Sequence, residues 1–150
     1  MKRQLEIVCG KRCSGKTSYV ISKLKNETTN DVCIFVLTSN DIVPNQWIEA
    51  FEDVNRPIVI QKYSISMLKW LANNKTNVYI VLDDIRLNVE SQELLSEFVR
   101  YGNNSKVILI TQYLKKLDEF LDDVNEVVCC GDMSTNSQQI LEKWNLTNHS

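Results

Sequence analysis

Residues 10–17 read Gly-Lys-Arg-Cys-Ser-Gly-Lys-Thr, with glycine, glycine-lysine and threonine at the fixed positions of the pattern G-x-x-x-x-G-K-[ST]. No other stretch restricts the fold so tightly, because a loop of this kind needs a strand before it and a helix after it. Gly10 and Gly15 permit a tight loop, since glycine takes positive φ without steric penalty. Backbone N–H groups pointing inward can then solvate a polyphosphate that bulky side chains would hold off. Lys16 is placed to reach the β and γ phosphates, and the Thr17 hydroxyl to take one position in the octahedral shell of Mg²⁺. The candidate nucleotide-binding set is therefore Gly10, Lys11, Arg12, Cys13, Ser14, Gly15, Lys16, Thr17 and Ser18. Leu5-Glu6-Ile7-Val8-Cys9 supplies an apolar, β-branched run upstream, and Tyr19, Val20, Ile21 and Leu24 supply helix-spaced apolar positions downstream.

A chain of 150 residues suits one domain, 1–150, with a core between a sheet and flanking helices. Its 43% hydrophobic and 24% charged residues exclude a disordered chain. No apolar run approaches the roughly 20 residues that cross a bilayer, and Met1-Lys2-Arg3-Gln4 lacks the features of a secretory signal. The expectation is an intracellular, cytoplasmic protein with no membrane partner; for a viral chain that means a viral factory or the virion. A net charge of −2 argues against a general polyanion binder, so nucleic acid must be held by a local patch or by several subunits together. Of the five cysteines, those in strands read as small apolar residues. Cys13 differs by lying in the loop, where it reads as filler at a variable position. No C-x-x-C pair points to zinc, and His149, in a polar tail, is assigned no chemistry.

Apolar runs alternating with helix-spaced segments predict an α/β fold, a mostly parallel sheet of five strands or slightly more between helices. Asp31–Thr38 reads as a fully buried strand, Pro44–Val54 as a short helix with Trp47, Ile48 and Phe51 on its apolar side, and Pro57–Ile60 as a brief peripheral strand. Ser64–Leu71 reads as a helix, Asn77–Leu82 as a strand and Val89–Tyr101 as a helix ended by Gly102-Asn103-Asn104. Lys106–Gln112 is a further strand, Tyr113–Leu121 a helix, Glu126–Cys130 a strand and Ser134–Leu146 a closing amphipathic helix.

Two strand ends carry chemistry. Asn77–Leu82 stops at Asp83-Asp84, on the carboxyl edge where parallel sheets place their ligands. The first carboxylate can hold a water of the magnesium shell, and the second can orient the water that attacks the γ phosphorus. Lys106–Gln112 ends at the same edge, where Gln112 can sense the γ phosphate or position the water.

This ordered set of motifs, with a strand inserted between the loop and the acidic pair, resembles the DNA-packaging ATPases of poxviruses and other large double-stranded DNA viruses, relatives of the FtsK–HerA DNA translocases. The resemblance covers Leu5 to about Trp144. It implies a P-loop ATPase fold, Mg-ATP as ligand, and a homo-oligomeric ring acting on double-stranded DNA. Carried over by position, it makes Lys16 and Thr17 phosphate and metal residues, Asp83 the magnesium carboxylate, Asp84 the catalytic acid and Gln112 the γ-phosphate sensor. Relatives commonly have an Arg-His pair before the glutamine strand, whereas this chain has Arg100-Tyr101-Gly102. Arg100 is the candidate for an arginine inserted by a neighbouring subunit, with Arg86 next; Lys115 and Lys116 are candidates for DNA backbone contact. Two other readings share the loop. A small nucleotide or nucleoside kinase should carry an arginine-rich lid, which five scattered arginines do not provide. A nucleotide-dependent assembly switch with little turnover is compatible with Asp84 standing where glutamate is commoner.

Overall fold

The computed structural model describes residues 5–10, 15–27, 32–39, 45–52, 57–73, 78–101, 106–112 and 126–130. The expected helices at 113–121 and 134–146, with Lys115, Lys116, Cys13 and His149, lie outside the described residues. In chain order the elements are β1 (Leu5–Cys9), α1 (Lys16–Glu27), β2 (Cys33–Thr38), α2 (Asn45–Ala50), β3 (Ile58–Lys62), α3 (Ile65–Ala72), β4 (Val78–Asp83), α4 (Val89–Tyr101), β5 (Lys106–Thr111) and β6 (Glu126–Cys129).

The strands form one six-stranded sheet in the order β3-β2-β4-β5-β1-β6, and every pairing is parallel. The Pro57 segment does form an edge strand, as a residue without a ladder donor requires. Strand residues alternate between two apolar layers. Val8, Ile34, Val36, Val81, Ile108 and Ile110 pack with Val20, Ile21 and Leu24 of α1 and with Trp47 and Phe51. Ile7, Leu37, Ile80, Leu82 and Leu109 pack with Leu68 and Leu71 of α3 and Leu95, Phe98 and Val99 of α4. Burial on both faces explains why these strands read as near-continuous hydrophobic runs. Ile48 departs from the expected pattern: it is 47% exposed, while Trp47 and Phe51 are buried. One side of α2 presents i and i+4 to the sheet, and i+1 turns away by about 100°.

Local capping fixes the helices on the α3–α4 side. Ser64 caps α3 by accepting from the Met67 N–H at 3.1 Å, and Asn88 Oδ1 caps α4 by accepting from the Ser91 N–H at 2.8 Å. Tyr63 joins the two starts through a 2.7 Å hydrogen bond between its hydroxyl and Ser91 Oγ.

One buried charge interrupts the apolar reading of β1. Glu6 is only 3% exposed; its Oε2 lies 2.7 Å from Lys23 Nζ of α1 and its Oε1 pairs with Lys106 Nζ of β5. Removing one member of such a buried ion pair typically costs about 3–5 kcal/mol, because its partner stays behind without compensation. Lys106 and Lys23 therefore tie β5 and α1 to the strand that delivers the glycine loop.

Candidate nucleotide-binding site

β1 ends at Cys9, and its ladder continues for one more bond as the Gly10 N–H donates to the Thr111 carbonyl at 3.3 Å. The chain re-enters at Gly15, whose φ is +85°. Among the described residues, a methyl group built on Gly15 would meet no neighbouring atom within 4 Å, so the backbone conformation by itself favours glycine there. Gly15 then opens α1: its carbonyl accepts from the Tyr19 N–H at 3.0 Å. No acidic side chain occupies the first turn of α1, so the positive end of the helix dipole is not offset there by the helix's own residues. Lys11, Arg12, Cys13 and Ser14 lie outside the described residues; Lys16, Thr17 and Ser18 begin α1 at the carboxyl rim of the sheet.

The acidic pair comes to the same rim by a different route. Along β4, even-numbered residues join the α3–α4 layer and Val81 the α1–α2 layer, so Asp83 continues toward α1 and α2. There the Thr17 hydroxyl donates to Asp83 Oδ2 at 3.4 Å, and the Trp47 indole N–H donates to the same oxygen at 2.9 Å. Burial raises the Asp83 pKa above the ordinary aspartate value; the Trp47 hydrogen bond opposes this, the Asp84 charge adds to it, and Thr17 and the Lys16 charge oppose it.

The residues present suit a magnesium ion. Thr17 and Asp83 offer hard oxygen donors, and adjacent ligands of an octahedral Mg²⁺ at 2.0–2.1 Å stand about 3 Å apart. The observed 3.4 Å is within easy adjustment of that edge, for direct binding or through a water.

Asp84 turns away from the strand direction. Its φ of 59° is the one positive value at a non-glycine among the described residues, a conformation aspartate tolerates better than most side chains. Its N–H still donates to the Ile110 carbonyl at 3.0 Å. The exposed Asp84 lines a depression of about 330 Å³ with Thr38, Ser39, Tyr63, Ile85 and Arg86. Gln112 follows Thr111, which is in register with Cys9, so it stands at the rim between the glycine loop and the acids.

Arg100 is not brought to this group within its own chain. α4 leaves the carboxyl end of β4 and returns the chain to the start of β5, so its last residues, Arg100 and Tyr101, belong to the opposite edge of the sheet. Thirteen residues of helix span about 20 Å. Among the described residues, Arg86 lies at the rim beside Asp84.

Two contributors escaped the sequence reading. Trp47 counted only as an apolar residue, yet its N–H holds the Asp83 carboxylate. Its neighbour Gln46 donates from Nε2 to Ser18 Oγ at 2.7 Å. The available signal was the indole itself, since a buried tryptophan N–H requires an acceptor.

In the sheet, β5 lies between β1, which carries the glycine loop, and β4, which carries the acids. Solved structures share this architecture. The genome packaging NTPase B204 from Sulfolobus turreted icosahedral virus 2, in complex with sulfate, superposes with a TM-score of 0.66 at 11% identity, over 98% of this chain and 83% of that one. The fold is that of a P-loop NTPase. The same NTPase in complex with AMPPCP gives a TM-score of 0.63 at 12% identity, over 95% of this chain and 82% of that one. In complex with ATP-gammaS it gives 0.57 at 11% identity, over 95% and 81%. No protein-family model matches the sequence, and no curated protein does. Among the described residues, no helix is long and apolar enough to cross a membrane.

The half-buried Asp83 carboxylate sets up a pH-dependent result. Because the folded-state pKa of Asp83 is raised, the folded chain binds its proton more tightly than the unfolded chain, and stability falls as pH rises through the folded value. Asp83→Asn removes that cost. The variant should melt at least as high as the parent at pH 7, with the gap closing as pH falls below the ordinary aspartate value of about 3.9, where the carboxyl becomes protonated in both states. Melting curves from about pH 3 to 7 check this.

Proposed function

We propose that this protein is a Mg²⁺-dependent ATPase that couples hydrolysis to movement of double-stranded DNA through a ring of its own subunits, as in viral genome packaging. The observation that carries the reading is the meeting of Thr17 with Asp83 at 3.4 Å across 66 residues of sequence, at the rim where Gly15 opens α1. The fold likeness to a genome packaging NTPase in complexes with AMPPCP and ATP-gammaS supports the nucleotide and the packaging role.

In this mechanism the amides from Gly10 to Ser18 cradle the phosphates, and the Lys16 ammonium draws charge from the β and γ oxygens. Thr17 and Asp83 would hold Mg²⁺, which when bound would neutralise phosphate charge. Asp84 accepts the proton of the attacking water, and Gln112 orients that water or senses the γ phosphate. An arginine from a neighbouring subunit, Arg100 or Arg86, would add about 10³–10⁵ in rate by stabilising the transferring phosphoryl group. In this reading Arg100, at the end of α4, would act on a neighbouring subunit's site rather than on its own.

Phosphate release measured with Mg-ATP, with and without duplex DNA, together with the particle mass, tests the proposal. Release stimulated by DNA from an oligomer is the expected result. A monomer under every condition whose release ignores DNA overturns translocation. Turnover that needs a nucleoside or nucleotide acceptor would make the chain a kinase, and binding with negligible release would make it a switch.

A further inference from the structure

Trp47 has a chemical duty that its place in the core does not require. Its side chain is fully buried, lies parallel to Phe51 with ring centroids 6.3 Å apart, and belongs to the apolar layer under α1 and α2. Phenylalanine would supply the same kind of ring contact with less volume, but no donor. An indole adds one donor and no acceptor, and a buried donor is costly unless it is given a partner. Here it is given to Asp83 Oδ2 at 2.9 Å, the oxygen that also receives the Thr17 hydroxyl at 3.4 Å. A donor anchored in packed core on one carboxylate oxygen limits rotation of the whole group, and so sets where its other oxygen points. One residue earlier, Gln46 joins the same short helix to Ser18 at 2.7 Å. α2 thus bridges the two elements that supply the metal donors.

We propose that Trp47 is a positioning residue: its indole N–H holds the Asp83 carboxylate in the orientation that Mg²⁺ bound with the nucleotide requires. The proposal rests on the nucleotide reading of this site. Groups that orient metal-binding side chains in this way typically change metal affinity about 10–100-fold when removed.

The test uses the full chain, ¹⁵N-labelled, and Trp47→Phe, which keeps an aromatic ring for Phe51 and deletes the donor. The chain has three tryptophans, so the Trp47 indole signal is assigned from Trp70→Phe and Trp144→Phe. That signal should shift in Asp83→Asn, and shift again in the parent when MgCl₂ is added with AMPPCP. In Trp47→Phe the MgCl₂ concentration that half-saturates AMPPCP binding should rise about tenfold, while AMPPCP affinity in EDTA stays at the parental value. A parent that binds Mg-AMPPCP beside a Trp47→Phe variant with unchanged magnesium dependence overturns the positioning role and leaves the nucleotide reading standing. A parent that binds no AMPPCP under any condition overturns both. Should Trp47→Phe fail to fold, the indole response decides: no shift in Asp83→Asn overturns the proposal.

Discussion

Replacing Lys16 with alanine is expected to weaken Mg-ATP binding about 100-fold and to bring phosphate release down to background. Truncating one partner of a hydrogen-bonded charge pair in a partly desolvated site costs about 2–5 kcal/mol, and about 2.7 kcal/mol is a factor of 100 in affinity. The substitution is local. Lys16 is the first residue of α1, and the helix is held to the sheet by Val20, Ile21 and Leu24, none of which changes. Alanine also favours helix over lysine slightly, so cooperative melting near the parental temperature should accompany the loss. Calorimetric titration with Mg-ATP and a phosphate assay make the comparison; undiminished affinity would end the nucleotide reading.

The second large effect is expected at Asp84. Asp84→Asn should lower phosphate release about 10²–10⁴-fold, the usual contribution of a positioned general base, while Mg-ATP affinity stays within a few-fold of the parent. Asparagine is the informative substitution for a conformational reason. Asp84 has φ 59°, and asparagine shares aspartate's tolerance of that region, so the backbone bond from its N–H to the Ile110 carbonyl is kept. Only the charge and the basic oxygen are lost. A β-branched replacement would add strain of the order of 1–3 kcal/mol and confuse the two causes. Parental turnover in Asp84→Asn would move the base elsewhere.

What the sequence makes legible here is what local chemistry determines. Gly10, Gly15, Lys16 and Thr17 are bound by spacing, and the strands from Cys33 to Thr38 and Val78 to Asp83 by continuous apolar runs that only a doubly covered sheet explains. Contacts between distant segments were not legible. Glu6 passed for part of an apolar run because its two lysines come from α1 and β5. Trp47 passed for core because its acceptor is 36 residues away. Ile48 was misassigned because a six-residue helix offers less than two turns from which to judge a face. Arg100 shows the complementary limit: resemblance supplied a role, and only chain direction through α4 shows at which edge of the sheet that residue ends.

The interposition of β5 between β1 and β4 also sets a width. Neighbouring strands stand about 4.8 Å apart, so the backbone that leads into the glycine loop and the backbone that carries the acids are two such steps apart, close to 10 Å, and the Thr17 and Asp83 side chains close that gap to 3.4 Å. On the proposed function, this spacing would give a terminal phosphate and an attacking water room side by side above β5, with Gln112 at the tip of the strand beneath them.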